Sequence, residues 1–547
     1  MDKKLLQITC IILCMFMAAA LAACQPTAGN ANTGSITSEG VNSTSDNTTT
    51  SSIITTTTPE EPTPPTPITL FISQNTDFIP ESNAVVKALE ELTNTKLTFE
   101  IPPQANYRER LQIVLASKDL PDTIQIESPN DDLFVKAISD GLIMSITEQI
   151  EKSTYIEKHI NPASWESMRV TKTVDIYGLP RNTLNRADGY SARKDWLDAV
   201  GLSVPDDGII TLDEFTEILR RFTYNDPDGN GIDDTYGLFL EPGQDGRLEP
   251  HHTFLPIFGI LGWQEYTDEP YQYMNLVYSK SKNNYKEALS YTQMLWKDGL
   301  IDPNWPNNAQ QADTRFLQGG IVGVASTFAN IYANLNTLKE NHPDADIAYI
   351  TRIVRNEGDT PMGVGFGGGF WWFTAVTSAA KDKVDEVVKF FDDCLSDEGY
   401  LLIKHGIEGV HYTKNTDGSI EKIQPAYDNY YKERGGLLHV RRYLDIDTFI
   451  ATDMPTEIRE KSLKWIDICA NMMVMSKDRG FEPEAGKNPA YMDYDKLRIQ
   501  DVSKIVTGAL DVDEWDRILE GWYAAGGEDY IMQMNEYIKE VEARENK

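Results

Sequence analysis

Apolar and polar residues alternate in short blocks where the folded part of the chain begins. Ile68-Thr-Leu-Phe-Ile-Ser73, Lys96-Leu-Thr-Phe-Glu-Ile101 and Asp122-Thr-Ile-Gln-Ile126 read as strands. Between them, residues 81–93 and 107–117 carry apolar side chains at helical spacing. Strand–helix–strand alternation predicts parallel strands joined by crossover helices, an α/β fold. In such sheets ligands gather at the carboxyl ends of strands, which makes Gln74, Asn75 and Glu127 rim candidates. Each has an ordinary alternative as a polar loop residue.

The middle of the chain continues the alternation. Trp196 and Val200 share a helical face, and Gly201 stands where a C-cap belongs. Thr211-Leu-Asp-Glu214 has the form of a capping box, and Phe215, Ile218, Leu219 and Phe222 follow at i, i+3, i+4 and i+7. That spacing predicts a helix with one buried stripe. Residues 284–299, with Trp296, read as another helix, 320–326 as a buried strand, and 381–395 as a strongly amphipathic helix. Gly363, Gly365 and Gly368 match G-x-G-x-x-G, but a dinucleotide fingerprint needs a helix after it. The aromatic run Phe370-Trp-Trp-Phe373 follows instead, so these glycines read as a bendable connection into a strand. Neighbours on a strand face opposite sides, so one of Trp371 and Trp372 is expected in the core and the other along a cleft. The remainder reads as mostly helical and acidic, with Ile531, Met534 and Ile538 on the apolar side of a last helix.

The amino-terminal residues follow another pattern. Lys3 and Lys4 precede an apolar run from Leu5 to Ala20, closed by Leu21-Ala-Ala-Cys24. Residues 1–23 therefore read as a secretory signal, and the closing motif resembles a bacterial lipobox in which Cys24 becomes the lipidated first residue. An uncleaved membrane anchor is the rival reading, against which stand the short run and the small residues at its end. Residues 24–67 are rich in Ser, Thr and Pro and have nothing with which to bury a core. A tether of that length spans about 35 Å root-mean-square. The formal charge of −34 argues against nucleic acid and anionic lipid as partners. Seven His and five Cys argue against a His/Cys metal framework. Cys394 and Cys469 fall on apolar helix faces, where two free thiols or one disulfide would both fit.

The candidate chemistry is concentrated in one loop. Asp226-Pro-Asp-Gly-Asn-Gly-Ile-Asp-Asp234 places oxygen-bearing side chains at positions 1, 3, 5 and 9 and Gly231 at position 6, the front of an EF-hand calcium loop. Ca²⁺ is a hard cation that takes several oxygens at once. The Glu expected at position 12 is replaced by Gly237, so the site is truncated, and an acidic Asx-turn without metal is the rival reading. No G-x-S-x-G, H-E-x-x-H, Walker A or C-x-x-C motif is present. Paired carboxylates for glycoside hydrolysis carry weight only at a known separation, and among 84 acids some pair always exists. An αβ body with 25 Tyr and 10 Trp suits capture of a small solute, because aromatic faces stack on sugar C–H surfaces. A tethered glycoside hydrolase and a sensor or peptide-binding module remain the alternatives.

Three stretches carry a family resemblance: Arg193-Lys-Asp-Trp-Leu-Asp198, Thr211-Leu-Asp-Glu-Phe215 and Asp226-Pro-Asp-Gly-Asn-Gly231. Gly406-Ile-Glu-Gly-Val-His-Tyr412 and Gly526-Gly-Glu-Asp-Tyr530 add to it. The chain is similar to family 1 extracellular solute-binding lipoproteins of bacterial sugar ABC transporters, including the alginate-oligosaccharide binders. The resemblance implies a two-lobed periplasmic-binding-protein-like fold with a hinge and extra C-terminal helices. It places lobe 1 at about 68–180 and 375–430, and lobe 2 at about 181–374 and 431–547. It implies a monomer that is no enzyme, anchored through Cys24 at the outer face of the cytoplasmic membrane and serving ABC permease subunits. It also implies structural Ca²⁺ held by Asp226, Asp228, Asn230, the Ile232 carbonyl and Asp234. The alginate binders have an acid immediately after the last of these, where Thr235 stands here. The residues expected to line the solute cleft are Asn75, Glu127, Arg193, Asp195, Trp263, Trp371, Trp372 and Glu408. Arg193 and Asp195 have an equal alternative as a structural ion pair at the hinge.

Overall fold

Local signals place most element boundaries, and packing shifts a few of them. A computed structural model describes residues 63–545 apart from 74–77, 170–174, 185, 244–245, 308–312, 328–331, 366, 417–419 and 444–454. The signal segment, Cys24, the tether to residue 62, Gln74 and Asn75 lie outside the described residues. The chain enters on β1 (Thr66–Phe71). Asn83 then caps α1 (Ala84–Thr93), its Oδ1 accepting from the amides of Val85 and Val86. That cap moves the helix start past the expected residue 81, and residues 80–82 form a separate 3-10 turn. There follow β2 (Thr95–Glu100), α2 (Tyr107–Ser117), β3 (Thr123–Ile126) and β4 (Leu179–Asn182). These strands and β9 (introduced below) make the first sheet.

After a crossing at 183–188 come β5 (Gly189–Arg193), α3 (Lys194–Ala199), α4 (Leu212–Tyr224) and β6 (Tyr236–Phe239). Then follow α5 (Asn284–Lys297), β7 (Val322–Thr327), β8 (Ile347–Ile350) and β9 (Phe370–Val376). The expected helix at 381–395 is α6 (Val384–Cys394), preceded by 3-10 turns over Ser378–Lys383. The remainder includes α7 (Thr456–Asn471), α8 (Pro489–Val506), α9 (Glu514–Trp522) and α10 (Glu528–Glu545).

The first sheet has the order β2–β1–β3–β9–β4. β1 pairs in parallel with β2 and β3, and β9 runs antiparallel to β3 and β4. The second sheet is β8–β5–β7–β6, with β5 antiparallel to both neighbours and β7 parallel to β6. All four residues of β3 are buried, as expected of a strand covered on both faces. Each sheet has its own core. The first draws on residues from Ile68 to Leu179 and again from Phe373 to Val440. The second runs from Tyr190 to Ile353 and takes in the faces of α8, α9 and α10, with Ile531, Met534 and Ile538 all buried. A smaller cluster in the same lobe joins Val322 and Tyr349 to Trp465 on α7. Two lobes result, and crossing strands tie them together: Gly363–Val364 pairs in parallel with Met473–Val474. Cys394 sits in the first core and Cys469 in the second lobe, both as free buried thiols.

Gly323 on β7 shows why α4 lies so close to its sheet. A Cβ there would come within 2.1 Å of the Phe222 ring. The capping box forms as expected: Thr211 Oγ1 accepts from the Glu214 amide at 3.2 Å, and Glu214 accepts from the Thr211 amide at 2.7 Å.

Candidate functional site

The carboxyl end of β3 opens onto a cavity of about 230 Å³ between the two cores. Glu127, the residue after β3, lines it with Ser128–Asn130, Ser167 and Phe370 from the first lobe. Arg479–Phe481 and Tyr537 line it from the other side. The walls touch at its edge. Ser167 Oγ donates to the Arg479 carbonyl at 2.9 Å, Asn130 donates to the Gly480 carbonyl, and Arg544 donates to Glu166. A second cavity of about 340 Å³ lies along the crossings, lined by Arg186 and Asp188 on one, Val364 and Gly365 on another, and by Arg352 and His252. Burial raises the Asp188 carboxyl above its ordinary range, opposed by Arg186 at 2.8 Å.

The aromatic pair divides in an unexpected way. Pairing of β9 with β4 is interrupted between Phe370 and Phe373, and Trp372 adopts a φ of 65° in that bulge. Trp372 packs edge-on against Tyr107, with ring centroids 5.8 Å apart, while Trp371 is 54% exposed. Tyr107 is held by its hydroxyl, which donates to the Gln125 carbonyl at 2.8 Å. Tyr107, Gln125 and Arg479 were not singled out from the sequence. Their positions near strand ends come from residues far apart in the chain.

The other expected cleft residues are dispersed. Arg193 is buried and forms a two-pronged pair with Asp195, at 2.9 and 2.5 Å, while its guanidinium lies 4.8 Å from the Trp196 ring centre. Trp263 is 3% exposed, with Tyr278 and Tyr530 as ring neighbours in the second core. Glu408 is exposed in the turn after the helix Asp397–His405 and bridges to Tyr412. The structure therefore brings Glu127 to the interlobe cavity and the tryptophan pair to the same sheet edge, and it does not bring Arg193, Asp195 or Trp263 there.

The loop after α4 is bent by positive φ at Asp226, Gly229 and Gly231. Asp226 accepts from the amides of Asn230 and Gly231, and the Asn230 amide group donates to both Asp228 and Asp234. Desolvation, and then the neighbouring Asp226 and Asp234, raises the Asp228 carboxyl above its ordinary range. Thr235 is buried and donates to the Phe222 carbonyl at 2.7 Å, so its hydroxyl serves the end of α4. Among the described residues, no group of three or more His, Cys, Asp or Glu side chains is gathered as a metal cluster. The loop's donors are all hard oxygens, as Ca²⁺ requires, and the Asn230 amide occupies the centre between Asp228 and Asp234.

A family model described as bacterial extracellular solute-binding protein matches residues 75–400. The chain belongs to that family. Among solute-binding proteins, the polygalacturonan/rhamnogalacturonan-binding protein YtcQ of Bacillus subtilis (strain 168) is 25% identical over 485 residues, which cover 84% of this chain and 89% of that protein. The Streptococcus pneumoniae ABC-transporter substrate-binding protein FusA, in complex with kestose, matches with a TM-score of 0.63 at 17% identity, covering 87% of this chain and 100% of that one. The alginate-binding protein AlgQ2, solved without calcium ion, matches with a TM-score of 0.60 at 19% identity, covering 87% and 98%. These two structures share the two-lobed fold described above.

Proposed function

We propose that this extracellular solute-binding protein captures an oligosaccharide and passes it to the permease subunits of an ABC transporter. The observation that carries the reading is the cavity at the carboxyl end of β3, walled by both lobes, with Glu127 on one side and Arg479 and Tyr537 on the other. A solute bridging the two walls stabilises their closure and needs no covalent step. A carbohydrate is favoured by the exposed Trp371 beside the half-buried Trp372 and the buried Tyr107. The carbohydrate named for YtcQ supports the same class. Glu127, Trp371 and Trp372 then contact the solute, while the Arg193–Asp195 pair, buried on Trp196, serves the fold. Cys24 anchors the chain in the membrane, and the receptor acts as a monomer. The loop from Asp226 to Asp234 takes Ca²⁺ through the side chains of Asp226, Asp228, Asn230 and Asp234 and the Ile232 carbonyl, bracing the end of α4 far from any chemistry.

The test is a calorimetric and thermal-shift screen of the mature protein against oligosaccharides and peptides, followed by chromatography of any bound sugar. Binding of an oligosaccharide that is recovered intact is the expected result. Release of shorter products would make the protein a glycoside hydrolase, and shifts with peptides alone would move the solute class.

A further inference from the structure

Arg181 lies near the carboxyl end of β4, the edge strand of the first sheet. β4 pairs with β9 at Pro180–Phe373 and again at Asn182–Phe370, so Arg181 stands opposite the bulge of Trp371 and Trp372. Its Nε is buried and has no hydrogen-bond partner among the described residues. Loss of water lowers the guanidinium to about 10, and no carboxylate among the described residues offsets that loss. Arg441 is drawn to the same corner, because Asn182 Nδ2 donates to its carbonyl at 2.6 Å. Burial, and then repulsion from Arg181, lowers Arg441 to about 9. His439 bonds to the Gln125 side chain at 3.0 Å, and Gln125 in turn accepts from the Ser73 amide at 2.9 Å. The carboxyl ends of β1, β3 and β4 thus meet around a cationic corner. A buried charge lacking a partner is costly, and this one persists in a chain with 84 acids against 50 bases. An arriving anion would remove that cost, and the planar guanidinium fork matches a carboxylate.

We propose that the solute is an acidic oligosaccharide, one carboxylate of which pairs with Arg181 beside Arg441 while a sugar face rests on Trp371. This rests on the reading of the protein as an oligosaccharide receptor. The ligand carries the same sign of charge as the chain as a whole and meets opposite charge at this corner.

The experiment is isothermal titration of the mature protein with oligogalacturonates, oligoglucuronates and oligomannuronates, each beside its methyl ester, and with neutral oligosaccharides. One acid should bind at least about tenfold tighter than its ester. Arg181→Gln should abolish that advantage, and Arg181→Lys should restore part of it. The ligand-free Arg181→Gln protein should melt at or above the wild-type temperature, since a buried charge that no carboxylate among the described residues offsets is removed. Wild-type protein that binds an ester or a neutral sugar as tightly as any acid overturns the acidic solute and leaves the receptor intact. An Arg181→Gln variant that melts several degrees lower and keeps the acid preference shows an internal partner and overturns the assignment of Arg181. Failure of every saccharide, charged or neutral, overturns both readings.

Discussion

Asp392 on α6 accepts from the amides of Tyr155 and Ile156 at 2.7 Å and from Thr154 at 3.1 Å, fixing the start of the short helix Ile156–His159. Replacing it by Ala leaves these donors without an acceptor, so Asp392→Ala should cost about 3 kcal/mol in urea unfolding, and Asp392→Asn less. A cost under about 1 kcal/mol would mean that water replaces the carboxylate. His439 gives a pH dependence. Burial, then the nearby Arg181, holds its folded pKa at about 3, against about 6.5 when unfolded. The neutral folded form thus contributes stability that is fully present above about pH 6.5 and is lost as pH falls toward 3, at about 1.4 kcal/mol per pH unit. His159, lowered to about 4, and the buried His251 and His252 act in the same direction. Melting temperature should therefore fall steeply from pH 6.5 to 4, and His439→Gln should flatten that limb by about one proton; an unchanged slope would place the titration elsewhere. None of these environments was legible in the sequence. A carboxylate or imidazole is recognisable there, but its desolvation depends on residues hundreds of positions away.

At the scale of elements, the sequence was most informative where the signal is local. The helix α4 was readable from its capping box and its stripe of Phe215, Ile218, Leu219 and Phe222, and all four of those residues are buried. Thr211→Ala should cost about 1 kcal/mol in urea unfolding with no change in m-value. Gly323→Val should cost more, about 1–3 kcal/mol, because the added atoms run into Phe222. The loop that follows α4 makes its own prediction: EDTA should lower the melting temperature and Ca²⁺ restore it. The paired variant Asp226→Ala, Asp228→Ala should remove that response, and a wild-type protein indifferent to EDTA would dispose of the metal. The tryptophan pair was only half legible. Strand alternation separates Trp371 from Trp372, yet the positive φ at Trp372 and the interrupted pairing with β4 arise from the edge of the sheet.

For the whole molecule, the interlobe cavity is assembled from residues as distant as Glu127 and Tyr537. Contacts at its edge, Ser167 to Arg479 and Asn130 to Gly480, hold the walls together in this conformation. Removing both with Ser167→Ala and Asn130→Ala should shift the population toward separated lobes and weaken solute binding roughly fivefold, about 1 kcal/mol. Small-angle scattering should then show a larger radius of gyration without solute and recovery of compactness at saturation. Equal compactness in both states would mean that closure does not depend on these contacts.

The sequence alone determined the α/β class, the run of strands and helices from residue 68 to 126, the capped α4 and the oxygen-rich composition of its loop. These follow from periodicity, caps and turn chemistry, which act over a few neighbouring residues. Tertiary structure alone decided that Arg193 and Asp195 close on each other over Trp196, that Trp263 is enclosed, and that Arg181 stands opposite the tryptophan bulge with no counter-ion among the described residues. Charge pairing and burial depend on distance in space. That distance is set when separate segments meet at a sheet edge or across a cleft.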